Sequence, residues 1–186
     1  MTIRTTFPRP VHEIENLWIP LPDGARLAAR VWLPEDAAAD PVPALFEFLP
    51  YRKSDGTTVR DALRAPYYAG HGYAVLRVDM RGSGDSDGVL TDEYTTQEHD
   101  DAVACIAWIA AQPWCDGNVG MIGISWGGFN ALQLAARRPT ALRAIVTQVV
   151  VLDRGQVIAV GTHDELLRTC PAYATLAAAQ TARRAA

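Results

Sequence analysis

Apolar and polar residues recur with two different periods along this chain, and the switches between them predict its elements. Two β-rich runs, Glu13–Ile19 and Arg26–Leu33, flank Pro22-Asp23-Gly24. There Pro fixes φ and Gly supplies a positive φ, so residues 13–33 read as a β-hairpin. Ala44–Leu49, bounded by Pro43 and Pro50, is a short apolar run that fits a buried strand. A helix around Val59–Ala69 leads into Tyr73–Asp79, a second buried strand, and then into Arg81–Gly88, a run of turn residues. Thr95 and Glu98 have capping-box spacing ahead of Ala102–Gln112, where Val103, Ile106, Ile109 and Ala110 form one apolar face. Pro113 ends that helix, and Asp116-Gly117 turns the chain into a third strand, Val119–Ile124. Gly127–Arg137 reads as a helix and Arg143–Val151 as a fourth strand. Strands alternating with helices in this way form βαβ units, so the expected class is α/β, a mostly parallel sheet with an N-terminal antiparallel hairpin.

After about Gln148 the pattern changes. Val149–Val160 reads as strand, Arg154-Gly155 turn and strand, and Thr162 with Glu165 forms a second capping box opening a short helix to Arg168. Gln156–Val160 is expected to pair antiparallel with Val149–Asp153 at the edge of the main sheet, an edge otherwise prone to self-association. The expected organisation is residues 1–148 as one unit and 149–186 as a tail that is not a domain of its own.

Composition narrows the function. At 186 residues, the length fits roughly one domain at about 150 residues each. Seventeen basic against 21 acidic residues leave a net charge of −4, and Lys53 is the one lysine. No basic stripe marks a nucleic-acid partner. No apolar stretch approaches the roughly 18 to 20 residues of a membrane span. The first residues carry Arg4, Arg9, Glu13 and Glu15 rather than a secretory leader. Cys105, Cys115 and Cys170 lack CxxC spacing, which predicts neither disulfides nor a metal site. A cytoplasmic location and no cofactor are expected.

Gly123-Ile124-Ser125-Trp126-Gly127 is a G-x-S-x-G string. Composition alone would produce one in roughly one chain in twenty of this length, so its weight comes from context. An apolar strand runs into Ser125 and a helix leaves it, as a nucleophile elbow requires. Gly123 and Gly127 let strand and helix pass closely, and the Trp126 amide at the helix start points where an oxyanion would form. Arg81–Gly88 lacks both the GK[ST] ending and the G-x-G-x-x-G spacing of a phosphate loop and reads as a structural turn.

Five segments together resemble the X-Pro dipeptidyl-peptidase-like, or cocaine-esterase-like, α/β-hydrolases. They are LPDGARLAARVWLP (21–34), LPYRK (49–53), GYAVLRVDMRGSGDSDG (72–88), AWIAAQPWCDGNVGMIGISWGG (107–128) and the helix that follows. The resemblance runs over residues 13–148. It implies cofactor-free acyl transfer at a small-molecule ester or amide. Ser125 would be the nucleophile, and the Tyr51 hydroxyl would complete the oxyanion hole with the Trp126 amide. Without the resemblance, Tyr51 reads as a packing tyrosine after a strand.

Such a serine needs a histidine base held by an acid, in chain order Ser, Asp or Glu, His. In the family these come from strands well beyond the elbow, whereas here the pattern stops near Gln148. Residues 149–167, with Tyr173 and Leu176, instead resemble the C-terminal end of an ABC-transporter nucleotide-binding domain, without that family's phosphate or signature motifs. The expectation is a truncated hydrolase joined to a transporter-like tail and weak or inactive. Two alternatives stand beside it. One is a complete small esterase using Asp153 and His163, which fall in the required order; the other is a non-enzymatic or complementing fragment. His12, His71 and His99 precede Ser125 and read as surface residues.

Overall fold

The computed structural model describes residues 6–147, 149–153, 156–161 and 163–184, which divide into two compact units, Met1–Val146 and Thr147–Ala186. The first unit opens with an antiparallel pair, β1 (Val11–Pro20) and β2 (Arg26–Pro34). It continues as β3 (Val42–Leu49), α1 (Thr58–Gly70), β4 (Ala74–Asp79), α2 (Thr96–Ala110), β5 (Cys115–Ile122), α3 (Trp126–Arg137) and β6 (Leu142–Val146). The six strands form one sheet in the order β1-β2-β4-β3-β5-β6. Its last four members run parallel, and β2 joins β4 antiparallel. The expected hairpin and parallel sheet are both present.

The near-continuous apolar run of β4 is explained by cover on both faces. On one face α1 packs on β2 and β4, with Ala65 and Ala69 against Trp32 and Val75. On the other, α2 and α3 bury Ile106, Ile109, Ala131 and Leu134 against Phe46, Phe48 and Val78. Cys105 and Cys115 are buried free thiols, and burial pushes the Cys105 thiol far above its ordinary value.

Under α1 lies a buried ionic cluster that the apolar pattern did not announce. Arg77, 2% exposed, stands in β4 beside Glu47 of β3 and Asp61 of α1. Arg60 and Arg64 close on Glu47 Oε2 at 2.6 and 2.9 Å. Burial pulls the Arg77 guanidinium down, and the carboxylates of Glu47, Asp61 and Asp79 oppose that pull. Glu47→Ala would leave Arg77 buried without the carboxylate that most opposes the pull of burial. The expected cost is about 3–5 kcal/mol, read as a lower midpoint in urea unfolding.

The second unit contains β7 (Val149–Asp153), β8 (Gln156–Gly161), α4 (His163–Thr169) and α5 (Pro171–Arg184). The predicted fold-back forms, with Val150 opposite Val160 and Asp153 opposite Gln156. It is not, however, an extension of the main sheet. The single strand expected over Arg143–Val151 is two strands, β6 in the six-stranded sheet and β7 in a two-stranded sheet with β8. The two polar residues Thr147-Gln148 inside that run fall between the strands, and a two-residue interruption without Gly or Pro does not by itself distinguish one strand from two. Leu166 and Cys170, with Ala159 and Tyr173 packed on them, form a small apolar cluster within this unit. The expected Arg154-Gly155 turn and the Thr162 cap lie outside the described residues. Among the described residues, no helix is long and apolar enough to cross a membrane.

Candidate active site

In the first unit, β3 connects through α1 to β4 on one side, while β5 connects through α3 to β6 on the other. β3 and β5 are parallel neighbours, with Ala44 opposite Val119 and Phe46 opposite Met121. Chains leaving their carboxyl ends in opposite directions open a crevice, the place where open α/β sheets bind ligands. Pro50-Tyr51 follows the end of β3 and Gly123-Ile124-Ser125 follows the end of β5. The two candidate side chains therefore flank the switch point of the sheet.

Ser125 occupies φ 56°, ψ −120°, directly before α3. A non-glycine residue there is strained, and such strain persists only where its surroundings over-determine it. The constraint is visible on both sides of the turn. Gly123 N–H donates to the Val146 carbonyl at 3.1 Å, and Phe129 N–H donates to the Ser125 carbonyl at 3.0 Å. A Cβ on Gly123 would lie 2.2 Å from the Gly127 carbonyl carbon, and one on Gly127 would lie 2.5 Å from Leu49 Cδ2. The two glycines are the condition for strand and helix to meet around an exposed serine.

Trp126 begins α3, and its indole N–H donates to Glu98 Oε1 at 2.8 Å. Glu98 is buried in the first turn of α2, where its own N–H donates to Thr95 Oγ1 at 3.2 Å. The expected capping box is thus present on its threonine side. Its acid side is shifted: Glu98 Oε2 accepts from the amide of Tyr94, one residue before the cap, at 2.8 Å. Tyr94 sits at φ 56°, and its ring lies 5.3 Å from that of Trp126 and 5.4 Å from that of Phe129. Burial foremost, then Glu93, Glu98 and the nearby Tyr51 phenol, push the Tyr94 phenol up. Tyr94, beside the Trp126 ring, is therefore an electrostatic neighbour of Tyr51.

The loop carrying Tyr51 is fixed from below. Arg52 sits at φ 55°. Lys53 N–H donates to Asp79 Oδ1 at 2.5 Å, and Lys53 Nζ donates to Asp85 Oδ2 at 2.6 Å. Asp79 is fully buried at the end of β4, and burial raises its carboxyl despite bonds from the Lys53 and Asp85 amides. Arg81 donates to Asp101 and Asp23, Ser86 Oγ to the Asp79 carbonyl, and Arg26 to Asp87. Side chains of the 81–88 turn are thus engaged by other protein groups, in keeping with the structural reading.

The remaining candidates are elsewhere. His71 Nδ1 pairs with the Tyr67 carbonyl and its ring packs on Tyr67, 4.3 Å between centroids. His99 Nε2 bonds Gln133 on α3, and His12 lies on β1 opposite Leu33. Asp153 ends β7 and His163 opens α4 in the second unit; their side chains lie outside the described residues. A cavity of about 30 Å³, lined by Phe48, Met80, Glu98 and Asp101 among others, is water-sized. The Glu98–Trp126 and Asp79–Lys53 bonds were not foreseen. Capping-box spacing marked Glu98, but only the fold brings α3 to its second oxygen.

A mostly parallel sheet delivering a strained, exposed serine to a helix N-terminus is the α/β-hydrolase fold with an elbow-type turn. The chain belongs to the X-Pro dipeptidyl-peptidase (S15) family, whose sequence model matches residues 23–186. It is 35% identical over 142 residues to the cocaine esterase of a Rhodococcus species, covering 74% of this chain and 24% of that protein. It is 30% identical over 154 residues to a putative serine esterase of Mycobacterium tuberculosis, with the same coverage. The chain thus spans about a quarter of the length of these curated relatives. A short similarity, 45% identical over 29 residues, is to the subtilin transport ATP-binding protein of Bacillus subtilis. A CocE/NonD family hydrolase from Staphylococcus aureus shares the fold, with TM-score 0.62 and 20% identity over 77% of this chain and 32% of that one. An α-amino acid ester hydrolase shares it with TM-score 0.58 and 24% identity over 78% and 26%.

Proposed function

We propose that residues 1–148 carry the nucleophile and oxyanion hole of a hydrolase for a small-molecule ester or amide, and that 149–186 contribute none of that chemistry. The observation that carries this reading is the backbone of Ser125 at φ 56°, ψ −120° between β5 and α3. Ser125 Oγ attacks the acyl carbonyl, and the Trp126 amide and Tyr51 hydroxyl hold the developing oxyanion. The leaving group departs with its electron pair, giving an acyl-Ser125 ester. Water then attacks this ester and releases the acid. No cofactor takes part. The buried free thiols Cys105, Cys115 and Cys170 fit a reducing, cytoplasmic setting.

Among the described residues, His71 and His99 bond the Tyr67 carbonyl and Gln133 rather than Ser125; in this reading the serine proton passes to water and turnover is slow. A hydrolase without its base retains about 10³ to 10⁴ over the uncatalysed rate. The test is intact-mass detection of acetyl-Ser125 with p-nitrophenyl acetate. One acetyl group should accumulate on the wild-type chain and none on Ser125→Ala. Absence of the adduct in both would refute the reading. Fast turnover lost in both Ser125→Ala and His163→Ala would instead identify His163 as a base and the chain as a complete small esterase.

A further inference from the structure

We propose that Glu98 is a positioning residue for the oxyanion-binding amide of Trp126, acting through the Trp126 indole. This rests on the acyl-transfer reading of Ser125 and extends it to a residue outside the serine–tyrosine pair. The strained φ of Ser125 leaves the direction of the next amide sensitive to any rotation of the first turn of α3. The Phe129–Ser125 bond fixes that turn along the helix axis, but it does not fix rotation about the axis. The Trp126 indole adds a tether at the first residue of α3, reaching α2, whereas Asn130 and Gln133 tie the later turns to the Phe48 carbonyl and to His99.

Glu98 is suited to hold it. The carboxylate is 4% exposed and belongs to a helix anchored in the core by Ala102, Ile106 and Ile109. Its Oε2 is engaged by the Tyr94 amide, and Oε1 takes the indole at 2.8 Å. A capping residue alone needs only the first of these bonds. The second is a charge-assisted bond in a buried setting, short and strongly directional. The Tyr94 ring lies on both Trp126 and Phe129, so the same loop grips α3 a second time.

A purely structural role for Glu98, capping α2, makes a different prediction, and Trp126→Phe separates the two. That variant removes the indole donor and leaves the Tyr94 and Thr95 bonds of the cap in place. Two readouts are followed: hydrogen exchange of the Phe129 amide, whose acceptor is the Ser125 carbonyl, and the rate of Ser125 acetylation by p-nitrophenyl acetate. Trp126→Phe and Glu98→Ala should each raise Phe129 exchange and slow acetylation by about tenfold or more, the scale of one charge-assisted hydrogen bond. The double variant should go no further than the more severe single one. Exchange of β2 amides should stay unchanged in Trp126→Phe. Glu98→Gln, which keeps an acceptor for the indole, should recover most of the loss. Wild-type Phe129 exchange in Trp126→Phe, or wild-type acetylation in both single variants, would overturn the proposal. If the wild-type chain acquires no acetyl group beyond Ser125→Ala, the acyl-transfer reading fails and Phe129 exchange alone decides the tether.

Discussion

Gly123→Ala should destabilise the first unit by about 2–3 kcal/mol and abolish acetylation of Ser125. The added Cβ would lie 2.2 Å from the Gly127 carbonyl carbon, 2.4 Å from its oxygen and 2.7 Å from Gly128 N. All three are backbone atoms of the first turn of α3, which no rotamer change can move aside. Overpacking of a core typically costs about 1–3 kcal/mol, and here relief requires sliding α3 away from β5. That slide dissolves the Ser125 turn. At this chain length each kcal/mol lowers Tm by about 2–4 °C, so a fall of roughly 4–12 °C is expected by calorimetry. Two comparisons isolate the cause. Gly127→Ala should cost less, because its Cβ would meet a methyl of Leu49 that can rotate. Gly120→Ala lies in the same strand with its nearest contact at 3.4 Å and should leave both stability and acetylation near wild type. A Gly123→Ala chain with wild-type Tm and acetylation would show that strand and helix have room, and that the turn is not a constrained elbow.

The same contrast between backbone and side-chain constraints explains what could be read from the sequence. β3, β4 and β5 and the helices between them were legible because each is a run of one period bounded by Pro, Gly or a cap. Ser125 was legible because an elbow is local: strand, turn and helix are consecutive in the chain, β5 starting at Cys115 and α3 ending at Arg137. Tyr51 is different. Nothing near it in sequence distinguishes a packing tyrosine from an oxyanion donor, and only a family resemblance or the pairing of β3 with β5 relates it to Ser125. Glu98 and Asp79 were less legible still. Each is a carboxylate whose partners stand 28 and 26 residues away, and hydrogen bonds at such separation leave no periodic trace. The break between β6 and β7 was invisible for the opposite reason. AIVTQVVV is mostly β-favouring and holds no Gly or Pro, and its polar Thr147-Gln148 pair alone does not reveal where one sheet ends and another begins.

Tyr51→Phe should lower the rate of Ser125 acetylation by about 10² to 10³, the usual consequence of deleting one oxyanion donor. The ring remains, so packing is retained; only the phenolic donor is removed. The phenol is 43% exposed at the end of β3, across the crevice from the serine that follows β5. Its backbone is held by the strained Arg52, by Lys53 N–H on the buried Asp79 and by Lys53 Nζ on Asp85. If Tyr51 is the proposed donor, a loop held this firmly limits how far it must reorganise when the carbonyl oxygen gains charge, which is why such donors weigh more in the transition state than in the ground state. The loss should therefore appear in the first-order acetylation rate at saturating ester rather than in the half-saturating concentration. Tyr94→Phe is the internal control. Its phenol is the electrostatic neighbour of Tyr51, but its ring packs on Trp126 and Phe129, so deleting its hydroxyl should change the rate by no more than about twofold, within the ±0.5 kcal/mol usual for substitutions away from such features. If Tyr51→Phe acetylates at the wild-type rate, Tyr51 is a packing residue. If Tyr94→Phe shows the large loss instead, the second donor comes from the loop before α2, and the oxyanion hole is built across the α2–α3 contact rather than across the β3–β5 crevice.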